Sequence, residues 1–462
     1  MNELQTHNPA NGELLATYPA MGPEQVEAAL AAGYAAAATW AGTSLTERLD
    51  LLRGVGKLLR ERREGYAALI TAEVGKPLRE SLAEVDKCAK NCDLVADLAP
   101  DWLADREIGT EAARSFVSYE PLGVVLAVMP WNYPFWQVVR FACAALAAGN
   151  AGLLKHSPNV TGCALALGEL FTDAGAPAGL FGVLVLTEEQ VPEVVPAVIA
   201  DPRVAAVTLT GSERAGAAVG ASAGAALKKS VLELGGSDPF VVLEDADLVA
   251  AADAAVASRF GNAGQSCLAA KRIIVAEQVA EEFLDLFVQR VGLLQPGDPA
   301  DLATTIGPMA RADLRAALGD QVARSVAAGA EVVCGGHDLD APGYYYAPTV
   351  LDRVTPEMSV FREETFGPVA AVIRARDEDH AVELANDTDY GLGAGVWSTS
   401  ERGLAVGRRI RSGALFVNAV VASDPRLPFG GIGRSGYGRE LSAEGVYEFT
   451  NVRTVVVGVD RP

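Results

Sequence analysis

Histidine is scarce in this chain, and cysteine is little more common. His7, His156, His337 and His380 are the only histidines in 462 residues. None is paired at ligand spacing and no Cys-x-x-Cys occurs, so no metal site is expected. The same scarcity counts against a hydrolase of the Cys-His type, because an imidazole would have to reach the thiol from an unrelated loop. The cysteines, Cys88, Cys92, Cys143, Cys163, Cys267 and Cys334, are too sparse for the disulfide framework of a small secreted scaffold, and reduced thiols are expected. Long apolar runs are also missing. No stretch reaches the ~20 residues needed to cross a bilayer, and Met1 to Pro9 is polar, with no basic segment ahead of an apolar one. A cytoplasmic protein without a membrane partner is the expectation. Positive charge is short as well: 38 Lys and Arg stand against 59 Asp and Glu, a net charge of -21. No basic cluster reverses that field locally, which argues against nucleic acid and anionic lipid as partners. An anionic cofactor or substrate must then be gripped by a few individual cations and by helix N-termini.

What the chain does have is apolar bulk. Hydrophobic residues make up 50% of it, and single cores stop growing at roughly 250 to 300 residues, so two large lobes are expected. Apolar residues recur at helical spacing from Pro23 to Ala41, from Thr46 to Glu73, and again from Leu78 to Leu98 after the break at Lys76-Pro77. Cys88 and Cys92 share one face of the third stretch, as packing residues or as a redox pair. From Gly123 to Thr210 the pattern changes. Strands are expected at Val124 to Met129, Gly152 to Lys155, Gly182 to Leu186 and Val204 to Leu209, with helices at Pro134 to Ala148, Asn159 to Ala174 and Val191 to Ala200. Such alternation predicts a parallel sheet covered on both faces. A second series starts at Val231, with strands near Pro239 to Leu243 and Arg272 to Val275 and helices near Leu248 to Arg259 and Val279 to Leu294. It predicts a second α/β lobe. Arg114 to Tyr119 and Arg453 to Val459 read as strands outside both series, and an arm that pairs with another subunit's sheet would account for them. A homo-oligomer, dimer or tetramer, is therefore expected.

Five places carry chemistry. Strand Val204 to Leu209 runs through Gly211-Ser212 into a helix, a turn that lets backbone approach a diphosphate, although such a turn taken alone is more often plain structure. Lys155 ends its strand at the same sheet edge, as a phosphate or ribose contact or as a solvated strand end. Cys267 ends the segment Ser258 to Cys267, rich in glycine and small residues, where an exposed thiol could be lowered below its ordinary pKa to give a nucleophile, unless it is one more inert buried cysteine. Glu233 is embedded in Val231-Leu232-Glu233-Leu234-Gly235-Gly236, where desolvation would raise it toward a useful general base unless it lies in a buried ion pair. Asn132, in the stiff turn Pro130-Trp131-Asn132-Tyr133-Pro134, is placed to donate to an oxyanion or to cap the next helix.

Taken together, Pro130-Trp131-Asn132, Lys155, Gly211-Ser212, Glu233-Leu234-Gly235-Gly236, Gly264-Gln265-Ser266-Cys267, Glu364-Thr365-Phe366-Gly367-Pro368 and Phe416-Val417-Asn418 make the whole chain resemble the aldehyde dehydrogenase superfamily. The resemblance implies an α/β fold with two Rossmann-like lobes and a β oligomerisation arm: a cofactor-binding domain at 1–103 and 123–235, a catalytic domain at 236–435, and the arm at 104–122 and 449–462. It implies NADP or NAD as cofactor and a small aldehyde as substrate. Cys267 would attack the aldehyde, Asn132 and the Cys267 N–H would stabilise the oxyanion, and Glu233 would activate the water that hydrolyses the thioester. Trp131, Asn132, Lys155, Ser157, Gly211, Ser212, Leu234, Glu364 and Phe366 would line the cofactor groove. Many NAD-preferring relatives carry a glutamate where this chain has Pro158, so a 2'-phosphate meets no repulsion, with Lys155 and Ser157 as its partners.

Within the superfamily the resemblance is strongest to the bacterial succinate-semialdehyde dehydrogenases. It implies that Arg140, about two helical turns after Asn132, grips the distal carboxylate of the substrate, with Ser423 as a further contact. Gly261 stands where some of these enzymes carry a second arginine, and Arg259 is offset from it. Ala269 stands where some carry a second cysteine, so no disulfide switch is expected. Other aldehydes remain open, such as glutarate semialdehyde or an uncharged aliphatic one. So do a cofactor-independent cysteine acyl-transferase or hydrolase, and a silent homologue.

Overall fold

The computed structural model describes residues 3–459. Two strands that sequence reading missed, Glu3–His7 and Leu14–Pro19, form a hairpin ahead of the first helix. Helices follow at Pro23–Trp40, Leu45–Glu61, Arg63–Val74 and Leu78–Trp102. The single helix expected over Thr46 to Glu73 is two, because Arg62 leaves helical geometry with φ -107 and ψ 17. Ser44 starts the first of them in a reciprocal cap with Glu47, which satisfies N–H groups that would otherwise be orphaned. Cys92 meets Cys143 at 3.6 Å in the buried interface between helix Leu78–Trp102 and helix Trp136–Ala147.

The first large sheet has six strands in the order Gly436–Tyr437, Lys229–Glu233, Val204–Thr210, Val124–Met129, Ala151–His156, Phe181–Leu184. All neighbours are parallel except the first pair. The chain starts in the middle and moves outward first to one side and then to the other, so the order reverses between Val124–Met129 and Val204–Thr210. The carboxyl ends of those two strands flank a crevice, the usual ligand position of an open α/β sheet. Lys229–Glu233 was expected to begin the second series. It closes the first instead, because its apolar residues pair with Val204–Thr210.

The second sheet has seven strands, in the order Glu331–Cys334, Thr349–Asp352, Val369–Ala375, Ala270–Ala276, Asp238–Val242, Gly393–Trp397, Ala414–Val417, parallel but for the first. Its central strands are almost wholly buried, as parallel strands covered on both faces are, while the edge strands Glu331–Cys334 and Ala414–Val417 are exposed and half-buried. Only Leu234 to Ser237 separates the end of Lys229–Glu233 from the start of Asp238–Val242. The carboxyl edge of one sheet therefore abuts the amino edge of the other, where the Cys267 loop enters strand Ala270–Ala276.

Arg106–Glu107, Arg114–Pro121 and Thr450–Val457 form a third, antiparallel sheet. The two long strands, read from sequence as strays, pair with each other over their full length, from Thr450 opposite Pro121 to Val457 opposite Arg114. Thr450–Val457 is an edge strand and exposes Val452, Val456 and Val457. Residues 460–462 of the expected arm, and Met1 and Asn2 of the expected cofactor domain, lie outside the described residues. Among the described residues no helix is long and apolar enough to cross a membrane, and no group of three or more potential metal ligands is found.

Candidate active site

Two cavities meet at Cys267. One, of about 280 Å³, lies over the crevice of the first sheet and is lined by Trp131, Asn132, Thr210, Gly211, Ser212, Leu234, Glu364 and Phe366 among others. The other, of about 330 Å³, is lined on one side by helix Leu78–Trp102 and on another by the loop Val420 to Ser423, with Arg140 and Phe429 in its wall. Cys267 and Gln137 line both.

The nucleophile loop is held in an unusual conformation. Asn262, Ala263 and Gly264 are consecutive left-handed residues, with φ of 51, 51 and 72. Only glycine fits at Gly264, where a Cβ would stand 2.3 Å from the Gly367 carbonyl. Local hydrogen bonds offset the strain at the other two. The Asn262 amide donates to the carbonyls of Asn132 and Gln265 at 2.9 and 3.3 Å, and the Gln265 side chain bridges Asn262 O and Ala310 N. The Asn132 Nδ2 donates one bond to Gln265 O at 3.1 Å. An amide nitrogen carries two N–H groups, so one is left for a ligand. His156 pins the Asn132 turn from behind. Its ring lies 3.0 Å from Pro134 O and 3.2 Å from Met129 O, and burial pushes it down to about 4, which keeps it neutral.

The Cys267 thiol runs against expectation. Burial pushes it up to about 11, with Lys271 and Arg140 pulling down and Glu364 and Asp238 pushing up. The small-residue approach gives access but also desolvates the sulfur, and desolvation dominates. Lys271 donates to the Cys267 carbonyl at 2.7 Å and pairs with Glu364 at 3.0 Å, so the cation is spent on the loop and on the facing carboxylate. Glu364 also accepts from Gly236 N at 3.1 Å. Trp131 and Phe366 meet edge to face with centroids 5.7 Å apart.

Glu233 lines neither cavity. Its carboxylate packs against Gly430, where a Cβ would be 2.6 Å from Oε1, and both oxygens lack a hydrogen-bond partner. Burial and the neighbouring Glu440 carboxyl hold it well above the usual carboxylate range, while Arg140 and Arg439 pull it down. Arg140 is not a free clamp. It is buried, ion-pairs with Glu440, donates to Thr210 Oγ1 at 3.3 Å and lies over the Phe429 ring. Two buried carboxyls thus lie beside the Arg140 guanidinium, and burial raises Glu440 as well, against the pull of the arginine it contacts. Arg259 is locked as well. It donates to the carbonyls of Val369, Thr365 and Gly367, whereas Gly261 lines the second cavity.

Of the residues expected from sequence, the first cavity collects Trp131, Asn132, Gly211, Ser212, Leu234, Glu364 and Phe366, and the second collects Arg140 and Ser423. Lys155 and Ser157 line neither, yet they end the adjacent strand at the same sheet edge. Sequence reading missed Lys87, Gln137, Lys271 and Glu440. Lys87 had a signal: Glu80, Ala83, Glu84 and Lys87, at i, i+3, i+4 and i+7, form one stripe of helix Leu78–Trp102 and all line the second cavity. Lys271 had one too, since it and Arg272 are two adjacent charges in the fully buried and otherwise apolar strand Ala270–Ala276. Neither cavity contains a histidine, so the imidazole a Cys-His hydrolase needs is absent from both.

A thiol shared by a crevice of dinucleotide-binding type and a separate small-molecule cavity is an arrangement suited to an oxidoreductase. The chain belongs to the aldehyde dehydrogenase family, which it matches over residues 1–455. It is 49% identical over 449 residues to a protein of Escherichia coli (strain K12) named as the NAD(P)+ succinate semialdehyde dehydrogenase Sad, covering 97% of this chain and 96% of that one. It is 48% identical over 453 residues to a probable NADP+ succinate-semialdehyde dehydrogenase of Synechocystis sp. (strain ATCC 27184 / PCC 6803 / Kazusa), covering 98% and 99%. The solved structure of a succinic semialdehyde dehydrogenase from Streptococcus pyogenes in complex with NADP+ superposes with a TM-score of 0.95 at 37% identity, covering 99% of this chain and 100% of that one.

The residues present fit a dinucleotide. Lys155 is buried and, among the described residues, has no carboxylate within 4.0 Å, so its cation is unspent and burial pushes it down to about 8. Gly211 and Ser212 precede helix Glu213–Ala225, whose N-terminus faces the first cavity.

Proposed function

We propose that this chain oxidises succinate semialdehyde to succinate with NADP+ or NAD+ as acceptor. The observation that carries the reading is the position of Cys267, shared by the dinucleotide-type crevice and by a cavity whose wall holds Arg140, Lys87 and Ser423. Relatives across nearly the whole chain bear that activity in their names.

In this reading the Cys267 sulfur gives up its proton to solvent water and the thiolate bonds to the aldehyde carbon. The carbonyl oxygen takes the negative charge and is met by the second N–H of Asn132 and the Cys267 backbone N–H. Trp131, Asn132, Lys155, Ser157, Gly211, Ser212, Leu234, Glu364 and Phe366 would hold a dinucleotide, which when bound would supply the hydride acceptor needed to reach a thioester at Cys267. Glu233 then swings away from Gly430, takes a proton from water, and the resulting hydroxide displaces the sulfur to release the acid. Arg140 and Ser423 contribute to the polar end of the substrate cavity.

Lys155 and Ser157 receive a 2'-phosphate, and Pro158, where a carboxylate would repel it, leaves NADP+ admissible. The exposed edge strand Thr450–Val457 joins the sheet of a second subunit, so the enzyme works as a homo-oligomer, in the cytoplasm. A panel of succinate semialdehyde, glutarate semialdehyde and butanal, each assayed with NADP+ and NAD+, tests the reading. Succinate semialdehyde should give the highest kcat/KM, and equal turnover of butanal would refute the substrate assignment.

A further inference from the structure

Four charged residues line the substrate cavity: Glu80, Glu84, Lys87 and Arg140. Three of them are already answered by the protein. Glu84 ion-pairs with Lys76 and accepts from the N–H groups of Phe135 and Trp136 at 2.9 and 3.0 Å. Arg140 is matched by Glu440. Glu80 accepts from Asn262 N at 2.7 Å, and burial holds its carboxyl above the usual range, which moves it toward the neutral form. Lys87 alone has no carboxylate within 4.0 Å among the described residues. Its Nζ donates to Ser423 Oγ at 2.7 Å and sits 4.2 Å from the centre of the Trp136 ring. Glu84 and Asp424 act on it only from beyond contact distance, so this half-buried ammonium touches no more than a hydroxyl and an aromatic face, and an arriving carboxylate offsets the cost of its desolvation.

We propose that Lys87 is the residue that selects a substrate carrying a carboxylate at the end remote from its aldehyde. The inference rests on the assignment of an acidic aldehyde above and shifts the weight of recognition away from Arg140. A carboxylate bonded to Lys87 Nζ also lies beside Ser423 Oγ, which holds that ammonium now and can donate its own proton to the incoming oxygen. The ring of Trp136 fixes the direction of the ammonium, so the cation is oriented before the substrate arrives. Burial pushes Lys87 down to about 8, with Arg140 adding to the effect, which agrees with a cation awaiting its counter-charge.

The test compares 4-oxobutanoate with butanal, which has the same chain length and no carboxylate, in the wild-type enzyme, Lys87→Met and Lys87→Arg. Calorimetric titration with succinate gives a readout independent of turnover. In Lys87→Met the KM for 4-oxobutanoate should rise about 30-fold and the succinate heat should vanish, while butanal kinetics stay within about threefold. Lys87→Arg should keep most of the preference. Butanal turnover shows in the same experiment that the variant is folded. A wild-type KM and intact succinate binding in Lys87→Met would overturn the proposal while leaving the acidic-aldehyde reading in place. Equal losses on both aldehydes would also overturn it, by showing a structural role. A wild-type enzyme that neither prefers 4-oxobutanoate nor binds succinate would overturn both readings together.

Discussion

Arg140 ion-pairs with Glu440 in the wall of the substrate cavity, both side chains are buried, and Glu233 lies close enough for all three charges to act on one another. The pair joins two parts of the chain 300 residues apart.

Replacing Arg140 with Ala leaves two buried carboxyls without their cation. The expected cost is about 3 kcal/mol of stability, the usual order for breaking a buried pair from one side. Activity should fall on acidic and neutral aldehydes alike, because Glu233 loses the charge that favours its ionised form. Thermal unfolding alongside kinetics on both substrates checks this, and a selective loss on acidic aldehydes alone would contradict it.

Cys267→Ser should lose at least ~1,000-fold in aldehyde oxidation, as nucleophile removal commonly does. In the wild-type enzyme without cofactor the thiol stands near 11. Iodoacetamide should therefore alkylate it at a rate that climbs about tenfold per pH unit between pH 7 and pH 9, without a plateau. Mass spectrometry of the labelled peptide measures it.

Glu233→Gln should separate the two halves of the reaction. A stoichiometric burst of reduced cofactor is expected, followed by steady turnover about 100-fold slower, because the base that readies water is gone. The general base must be ionised and its carboxyl is raised above the ordinary range. The wild-type kcat should therefore increase with pH on its acidic limb, and the variant should lack that limb. Stopped-flow absorbance at several pH values decides it.

Lys155→Met should raise the KM for NADP+ about tenfold and change that for NAD+ far less. A cation is lost as pH rises through its pKa, here near 8. The wild-type KM for NADP+ should accordingly increase above that pH, and the variant should be flat. Pro158→Glu should lower kcat/KM for NADP+ and favour NAD+.

Val452→Lys with Val456→Lys places charge on the exposed face of strand Thr450–Val457. Sedimentation velocity should show a smaller assembly than wild type, with helix and strand content unchanged by circular dichroism.

The alternation from Val124 to Thr210 was legible because each strand is buried on both faces and each helix covers it, so local pattern and tertiary role coincide. The Leu45–Glu61 and Arg63–Val74 break was not, since Arg62 gives no residue-type warning. Motif residues such as Trp131, Glu364 and Phe366 converge on one cavity, a grouping that the family resemblance implied and that local pattern alone did not. The thiol's direction was misread because small neighbours signal access but say nothing about desolvation. The pairing of Arg140 with Glu440 was not legible because the two residues are remote in sequence. Lys87 passed unnoticed because a charge on an amphipathic helix ordinarily meets solvent, and only the folded chain reveals the loop at Ser423 that roofs it.

Cys267 and Gln137 line both cavities, so under the proposed mechanism the two reactants would reach the sulfur from opposite flanks and need not pass each other. The acid product can then depart through its own doorway while the other remains occupied. Catalytic turnover and nucleotide exchange thereby become separable events, and inhibitors could be built to block either entrance alone.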